Sequence, residues 1–202
     1  MNIGVIGAGH VGGMLGRLLA EHGHRVMFGM RDTSTLKGEA QEAVDEYGAR
    51  TGTLQEAVDF GEVVVLAVPG NSVQDVVTGL HNWQGKILMD TNNRFGTQTP
   101  GHSMAEDIAR WAEGAHVVKA FNTLGANRFD QPTLGGQQIS MFICGDDDGA
   151  KQVVSGLVID LGFDLVDVGG LGQAALLEKL AELWVMLARS GFGRDIAFKL
   201  LR

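Results

Sequence analysis

The sequence predicts an α/β protein with a doubly wound, parallel sheet and a smaller, mostly helical C-terminal portion. Two observations predict this class. Short apolar, β-branched runs alternate with amphipathic stretches over the first 125 residues, and glycine or proline ends several of these runs. Alternating strands and helices are joined by crossover connections, so the strands lie parallel in one sheet. About six such strands are expected before residue 125. A boundary near residue 140 is expected to divide a domain over 1–140 from a portion over 141–202.

The first elements show the pattern most clearly. Residues 2–6 (NIGVI) form an apolar run that stops at glycine, as expected for a buried parallel strand. Apolar residues from Val11 to Leu19 then recur at helical spacing, and Gly23 follows as a C-terminal cap. Further strands are predicted over 25–29, 62–68, 86–90 and 116–121, and helices over 39–47, 54–60, 72–80 and 103–113. Beyond residue 125, strands over 137–144 and 163–168 should flank a helix over 147–161, and 172–202 should be mostly helical with a break at Ser190-Gly191.

Composition and charge exclude several classes of function. The chain has 202 residues, of which 45% are hydrophobic and 20% are charged, as in ordinary globular proteins. Its formal charge of −8 argues against nucleic acid or an anionic membrane as a partner. Cys144 is the only cysteine, so neither an internal disulfide nor a cysteine-based metal cluster is expected. No metal site, no membrane span and a cytoplasmic location are the expectations.

A glycine-rich loop follows the first predicted strand. Residues 7–12 (GAGHVG) have the spacing G-x-G-x-x-G between a strand and an amphipathic helix. In a dinucleotide site of this kind, Gly7 would make the tight turn, Gly9 would let a pyrophosphate approach, and Gly12 would let the helix pack closely on the strand. The start of the helix would present free N–H groups to the phosphates. The sequence therefore predicts a Rossmann-type domain, although a purely structural strand–helix turn has the same spacing.

The end of the second predicted strand indicates which dinucleotide is bound. An NAD enzyme usually carries an acidic residue there to accept hydrogen bonds from the ribose. This chain has Arg31 at that point, followed by Thr33, Ser34 and Lys37. Arginine can form a forked, charge-assisted pair with a phosphate, and hydroxyls and lysine can add further donors. The cluster predicts a pocket for the 2′-phosphate of NADP; the alternative is a solvated turn in which Asp32 pairs with Arg31.

Several segments together resemble one known family. The N-terminal MNIGVIGAGHVGG, the Arg31 turn, Val118 to Phe129 (VKAFNTLGANRF), Cys144 to Val154 (CGDDDGAKQVV) and the tail from Leu176 to Leu201 are similar to NADPH-dependent reductases of coenzyme F420. The resemblance implies a Rossmann domain that carries NADP and a smaller C-terminal portion that closes a cleft. A deazaflavin, coenzyme F420, would lie in that cleft against the nicotinamide.

The resemblance also implies roles for individual residues. Gly9, His10 and Val11 would touch the pyrophosphate, and Arg31 would take the 2′-phosphate. The nicotinamide side would be lined by Val68, Pro69, Gly70, Asn92, Asn93, Asn122 and Thr123.

Hydride transfer between two ring cofactors requires little acid–base help, because the cofactors carry the chemistry and the protein orients them. No catalytic acid or base is therefore assigned, and Asn122 and Thr123 are expected only to line the site. Lys119 lies in an otherwise apolar strand, where a structural ion pair is favoured over proton transfer to substrate.

The sequence leaves three hypotheses about the function open. The first is an NADP-dependent oxidoreductase that transfers hydride between NADPH and coenzyme F420. The second is a reductase in which NADPH reduces a flavin, a metal complex or a small imine. The third is a non-catalytic NADP-sensing module. The C-terminal portion is rich in Leu, Met, Trp and Phe, which favours a homodimer or an apolar wall for a deazaflavin.

Overall fold

A computed structural model describes residues 1–32, 35–95 and 102–202. The strands of these residues are β1 (Asn2–Ile6), β2 (Arg25–Gly29), β3 (Arg50–Gly52), β4 (Val63–Leu66), β5 (Ile87–Asp90), β6 (His116–Lys119), β7 (Thr133–Leu134), β8 (Gln137–Gln138), β9 (Ser140–Gly145) and β10 (Asp164–Asp167). The α-helices are α1 (His10–Glu21), α2 (Glu39–Tyr47), α3 (Leu54–Phe60), α4 (Val73–Thr78), α5 (Met104–Trp111), α6 (Asp148–Asp160) and α7 (Ala174–Leu187). The π-helical segment Ala188–Phe192 follows α7 and contains a kink at the predicted break, because Ser190 and Gly191 have non-helical φ and ψ angles.

The main sheet has eight strands in the order β10-β9-β6-β5-β4-β1-β2-β3. From β1 the sheet grows in one direction through β2 and β3 and in the other through β4, β5 and β6, and all of these neighbours are parallel. Strand β9 pairs antiparallel with β6, and β10 pairs parallel with β9. Strands β7 and β8 form a separate two-stranded hairpin. The predicted fold class, a Rossmann-type doubly wound sheet with a helical C-terminal region, is confirmed.

The apolar strands are continuous because both faces of the sheet are covered. In β4 every residue is buried. Val63 and Val65 belong to the core beneath α1, α2 and α6, whereas Val64 and Leu66 belong to the core beneath α3, α4, α5 and α7. Since successive side chains of a strand point to opposite faces, a strand covered on both sides cannot alternate apolar with polar residues.

Three parts of the element prediction differ from the structure. The single strand predicted over 137–144 is divided into β8, which pairs with β7 in the hairpin, and β9, which pairs with β6 in the main sheet. Strand β3 was not predicted, because it is three residues long, lies at the sheet edge and is largely exposed. The helical prediction for 172–202 is wrong for residues 193–202, which form no helix. The physical reason lies in Gly191 and Gly193, whose φ angles of 101° and 72° end the helix in the left-handed region.

The final residues return instead to strands β9 and β10. The Ser140 N–H donates to the carbonyl oxygen of Phe198 over 3.1 Å. The ammonium of Lys199 lies 2.6 Å from a carboxylate oxygen of Asp164. The predicted division near residue 140 stays a prediction; β9 and β10, which follow it, extend the same sheet as β6. Among the described residues, no helix combines the length and the apolar character that crossing a membrane requires.

Candidate functional site

The parallel register brings the carboxyl ends of the central strands to one edge of the sheet. Ile6 at the end of β1 pairs with Gly29 of β2 and with Leu66 of β4. On the next strands, Asp90 of β5 pairs with Lys119 of β6. Ligands of open parallel sheets bind outside this edge, near the point where the strand order reverses. A ligand at this edge would contact the loops that follow β1, β2, β4, β5 and β6.

The loop after β1 has the geometry of a phosphate cradle. Gly7 has a φ of 98°, and a Cβ there would lie 2.5 Å from the Ala67 carbonyl oxygen. A Cβ on Gly12 would lie 1.9 Å from the Gly7 carbonyl oxygen, so the close contact between α1 and this loop requires glycine. By contrast, a Cβ on Gly9 would meet nothing within 4 Å. Gly9 is also the N-cap of α1 and has no side-chain cap, which leaves the first N–H groups of the helix for an anion.

A cavity of about 380 Å³ lies between this loop and the loops after β2 and β4. It is lined by Gly7, Ala8, Gly9, Gly29, Met30, Arg31, Asp32, Thr35, Lys37, Leu54, Val68, Pro69 and Val76. The structure thus brings together six of the residues predicted to bind cofactor, from Gly7 to Pro69. Thr33 and Ser34, also predicted here, lie outside the described residues. A neighbouring cavity of about 310 Å³ shares Arg31, Leu54 and Val76 with the first.

Arg31 is exposed at the mouth of this cavity, as is Lys37. Within the described ranges, Arg31 has no ion-pair partner. Asp32 lines the same cavity, and its backbone carbonyl oxygen accepts from the Thr35 hydroxyl over 2.7 Å. A phosphate in this cavity would thus meet two cations and one carboxylate.

A second cavity, of about 650 Å³, lies beside the loops after β4 and β5. It is lined by Val68, Gly70, Asn71, Gln74, Asn92, Asn93, Arg94, Phe95, Met104 and Trp111. Val68 lines both this cavity and the first one, so the two are neighbours along the sheet edge. The predicted residues Val68, Gly70, Asn92 and Asn93 therefore line the same cavity.

Asn92, Asn93 and Asn122 hold the loops after β5 and β6 together. The Asn92 side-chain amide donates to the Leu66 carbonyl and to Asp90, both over 2.9 Å. The Asn122 amide donates to Asn93 Oδ1 over 2.8 Å and to the Leu177 carbonyl over 3.1 Å. Asn122 Oδ1 is buried and has no hydrogen-bond partner among the described residues. A buried amide oxygen of this kind can accept from a ligand.

Phe121 sets the direction of the chain just before Asn122. It is a buried aromatic residue with a φ of 57°, in the sparsely populated left-handed region. Edge-to-face contacts with Phe129 and Phe163, at 5.4 and 5.9 Å between ring centroids, hold the ring. Thr123 is buried and lines neither of the two cavities described.

His10 and Val11 line neither cavity through their side chains. His10 is exposed and Val11 is half-buried at the start of α1. Their backbone N–H groups, in the first turn of the helix, are what the structure places toward the loop. The described residues bring together no group of three or more His, Cys, Asp or Glu side chains suited to a metal ion.

A buried ionic cluster contacts three residues that line the second cavity, Asn92, Arg94 and Met104. The Lys119 ammonium lies 2.6 Å from Asp90, 3.0 Å from Glu178 of α7 and 2.7 Å from the Asn92 carbonyl oxygen. All three ionic side chains are fully buried. Burial lowers the pKa of Lys119, but the charges of Asp90 and Glu178 and their hydrogen bonds outweigh it and raise that pKa above its ordinary value. The ion pair predicted for Lys119 is therefore present, and its raised pKa favours the protonated form.

The two carboxylates of this cluster also bind the loop that lines the second cavity. Asp90 Oδ1 accepts from the Asn92 N–H over 2.9 Å. Glu178 accepts from the Arg94 N–H over 3.2 Å and from the Met104 N–H, at the start of α5, over 2.8 Å. The cluster thus ties α7 to the loop after β5. Nearby, burial raises the pKa of the Cys144 thiol to about 12, so this cysteine is not a nucleophile.

Several lining residues were not predicted from the sequence, namely Leu54, Gln74, Val76, Arg94, Phe95 and Trp111. Their sequence neighbourhoods carry no motif. Arg94 and Phe95 follow Asn92 and Asn93 directly, so extending the predicted loop by two residues would have found them. Glu178 lies in an apolar helix, next to Leu177. An acidic residue in such a helix is a weak signal for a buried ion pair.

Comparisons with known proteins agree with this geometry. Residues 2–94 match the family described as "NADP oxidoreductase coenzyme F420-dependent". Metalloreductase STEAP3 of Rattus norvegicus is 30% identical over 181 residues, which is 88% of this chain and 36% of that protein. Metalloreductase STEAP2 of Homo sapiens is 26% identical over 182 residues, which is 89% of this chain. The chain spans 36% of the length of both metalloreductases.

Solved structures extend the comparison to the whole chain. A protein of Arthrobacter sp. FB24, provisionally described as an F420-dependent NADP reductase, is 30% identical with a TM-score of 0.88 and covers 100% of both chains. The hypothetical protein SMa0349 of Sinorhizobium meliloti is 28% identical with a TM-score of 0.78 and covers 100% of this chain and 96% of that one. A reductive aminase of Aspergillus terreus shares the fold, at 18% identity and a TM-score of 0.72, over 95% of this chain and 63% of that one.

Proposed function

This chain belongs to the family of coenzyme F420-dependent NADP oxidoreductases, and on that premise we propose that it transfers hydride between NADPH and a deazaflavin at the carboxyl edge of the sheet. The observation that carries the proposal is the glycine loop. Gly7 and Gly12 leave no room for a Cβ, whereas the space in front of Gly9 is open at the N-terminus of α1. A pyrophosphate fits this cradle because backbone N–H groups and the helix dipole face it.

The first cavity supports NADP as the dinucleotide. The pyrophosphate would lie on Gly9, and the adenosine ribose would lie at the end of β2, beside Arg31 and Lys37. Leu54 and Val76, which line both this cavity and its neighbour, offer an apolar surface for the adenine. Arg31 would hold the 2′-phosphate through a forked, charge-assisted contact.

The second cavity supports a role in orienting two rings. NADPH, when bound, supplies the hydride. Asn92, Asn93 and Asn122, whose side chains join the loops after β5 and β6, would lie beside the nicotinamide, with Val68 as the apolar link between the cavities. Lys119 holds its proton within the buried cluster and does not deliver it to a substrate. The expected rate advantage comes from alignment of donor and acceptor rather than from an acid or base.

The cofactor assignment is tested by Arg31→Ala. Loss of a charge-assisted hydrogen-bond pair to phosphate costs about 1.5–3 kcal/mol, which is a loss of roughly 10- to 150-fold in NADPH affinity. NADH lacks the 2′-phosphate, so its affinity should change little and serves as the internal control. The measurement is the dissociation constant of each nucleotide by quenching of tryptophan fluorescence. An equal loss for NADPH and NADH would overturn the 2′-phosphate assignment.

The acceptor is tested by mixing the protein with NADPH and oxidised coenzyme F420 and following the deazaflavin absorbance. Rapid bleaching with NADPH and slow bleaching with NADH would support both the deazaflavin as acceptor and NADP as the dinucleotide. If NADPH binds and the deazaflavin is not bleached, the deazaflavin part is wrong and the NADP part stands.

A second candidate function is NADPH-dependent reduction of a flavin or a metal complex. The observation that favours it is the similarity to proteins named metalloreductases, over 88% of this chain. The same assay with FMN, and with FMN plus a ferric chelate, separates this candidate from the first. A third alternative, an NADP-sensing module, predicts tight NADPH binding without turnover of any of these acceptors.

A further inference from the structure

A third cavity, of about 690 Å³, lies where α7 ends and the chain turns back. It is lined by Phe95, Glu182, Trp184, Val185, Met186, Ala188, Arg189, Ser190 and Arg194. Most of its wall is apolar, and two arginines stand at its rim. Nothing in the hydride-transfer chemistry proposed above uses this cavity.

The backbone turn at the end of α7 places the two arginines. Ser190 leaves the helical region, and Gly191 and Gly193 have φ angles of 101° and 72°, so the chain reverses within a few residues. Arg194 therefore returns over the Trp184 ring, with its guanidinium carbon 5.5 Å from the ring centroid. The Trp184 indole N–H donates to the Ile196 carbonyl over 2.8 Å, which fixes the ring.

The charges at the rim favour an anion. Arg189 is exposed and has no ion-pair or hydrogen-bond partner within the described part of the chain. The one carboxylate of the lining, Glu182, is offset by Lys179 at 2.7 Å. Two guanidinium groups beside an apolar wall stand out in a chain with a formal charge of −8. Arginine binds phosphate through parallel N–H donors and stacks on aromatic rings.

Phe95 connects this cavity to the proposed hydride-transfer site. It lines both the second and the third cavities, and the residue is 54% exposed. A planar ring that lies in the second cavity can extend a chain past Phe95 toward Arg189 and Arg194. The amides of Asn92 and Asn93 stand at one end of this path and the two arginines at the other.

We propose that the third cavity binds the phosphate-bearing tail of a tricyclic hydride acceptor, flavin or deazaflavin, through Arg189 and Arg194. The inference rests on the proposed function, because the ring of the acceptor is assigned to the second cavity. It adds the chemical class of the tail: an anionic, phosphate-bearing chain rather than a neutral one.

The test compares FMN with riboflavin, which differ only in the phosphate. Binding is measured by quenching of flavin fluorescence, in the presence of NADP⁺ so that no turnover occurs. For the unchanged protein, FMN should bind about tenfold more tightly than riboflavin, a ratio that corresponds to about 1.4 kcal/mol. In Arg189→Gln and in Arg194→Gln, FMN affinity should fall about fivefold or more while riboflavin affinity stays the same.

Arg50→Gln is the matched control. Arg50 is also exposed and also lies over an aromatic ring, with its guanidinium carbon 5.6 Å from the Phe60 centroid, but it lines none of the three cavities. Its loss should leave both flavin affinities unchanged. A parallel titration with oxidised coenzyme F420 distinguishes the two sources of the tail: whichever of FMN and coenzyme F420 loses affinity in the arginine variants is the class that the cavity takes.

The proposal is overturned if Arg189→Gln and Arg194→Gln leave the affinities for both FMN and coenzyme F420 unchanged, whatever the ratio between FMN and riboflavin. It is also overturned if neither FMN nor coenzyme F420 binds. A titration with NADPH separates these failures from a failure of the proposed function: if NADPH still binds and is oxidised by any acceptor, the hydride-transfer assignment stands and only the tail site is wrong.

Discussion

Lys119→Met removes the only cation of the buried cluster and should destabilise the protein strongly. The variant leaves Asp90 and Glu178, both fully buried, without their partner. It also removes the donor to the Asn92 carbonyl oxygen. Breaking a buried ion pair by deleting one partner costs about 3–5 kcal/mol. Since domains are stable by about 5–15 kcal/mol, the variant should lose a large share of its stability and still fold under mild conditions if the starting value is high.

Equilibrium unfolding in urea, followed by the fluorescence of the three tryptophans, measures this loss. With a urea dependence of about 2–3 kcal/mol per molar, the midpoint should fall by roughly 1–2.5 M. Lys179→Met is the matched control, because Lys179 pairs with Glu182 at 2.7 Å but is 52% exposed. An exposed pair is worth about 1 kcal/mol or less, so the control midpoint should move little.

The role of the cluster is also tested by pH, through the difference in unfolding free energy between the unchanged protein and Lys119→Met. The pKa of Lys119 is raised in the folded state. A lysine whose folded pKa is raised contributes stability that is fully present below its unfolded pKa, about 10.4, and is lost as the pH rises through the folded value. The stability difference between the unchanged protein and Lys119→Met should therefore persist from pH 7 to pH 9 and shrink only in strongly alkaline solution. A midpoint shift equal to that of Lys179→Met, or a difference that vanishes by pH 9, would refute the role assigned to the cluster.

Two further predictions concern the glycine loop and the surface of α7. Gly12→Ala should lower the free energy of unfolding by about 1–3 kcal/mol or more, because its Cβ would lie 1.9 Å from a backbone oxygen. Gly9→Ala has open space around its Cβ, so this variant should unfold at the same urea concentration as the unchanged protein. It should nevertheless bind NADPH more weakly. Leu176 is 66% exposed on α7. If the predicted homodimer forms through this face, Leu176→Glu should be a monomer when measured by sedimentation velocity. If the unchanged protein is already a monomer, the homodimer prediction is wrong.

The first half of the fold could be predicted from the sequence because its strands are buried on both faces. A continuous apolar run such as that of β4 predicts a buried strand without any tertiary information. The edge strand β3 could not be read in this way, since Arg50 and Thr51 are exposed and its pairing with Met27 and Phe28 is set by the neighbouring strand. Strand β2 and helix α2 have the predicted bounds, whereas the ends of several other elements differ by one to three residues. Helix and strand ends depend on caps and register rather than on the apolar pattern.

The candidate site was predictable where a motif fixes the backbone and unpredictable where distant segments meet. Gly7, Gly9 and Arg31 follow from local spacing, and the structure places them in one cavity. The contact of Lys119 with Glu178 joins residues that are 59 positions apart, and no local pattern encodes it. Sequence reasoning could state that a lysine in an apolar strand needs a partner, but only the packing of α7 against the sheet shows which partner it has.

The buried cluster has a consequence for how the two proposed ligand sites depend on each other. Glu178 lies on α7, one turn before the stretch that carries Trp184 and leads to the third cavity, and it accepts the N–H of Arg94 in the loop that lines the second cavity. The same loop is held from the other side by Asp90 and Lys119 through Asn92. The glycine cradle and Arg31 take no part in these contacts. Weakening the cluster should therefore impair the binding of an acceptor more than it impairs the binding of the phosphate groups of NADPH, since the loop that carries Asn92 and Arg94 rests on the cluster and the pyrophosphate cradle does not.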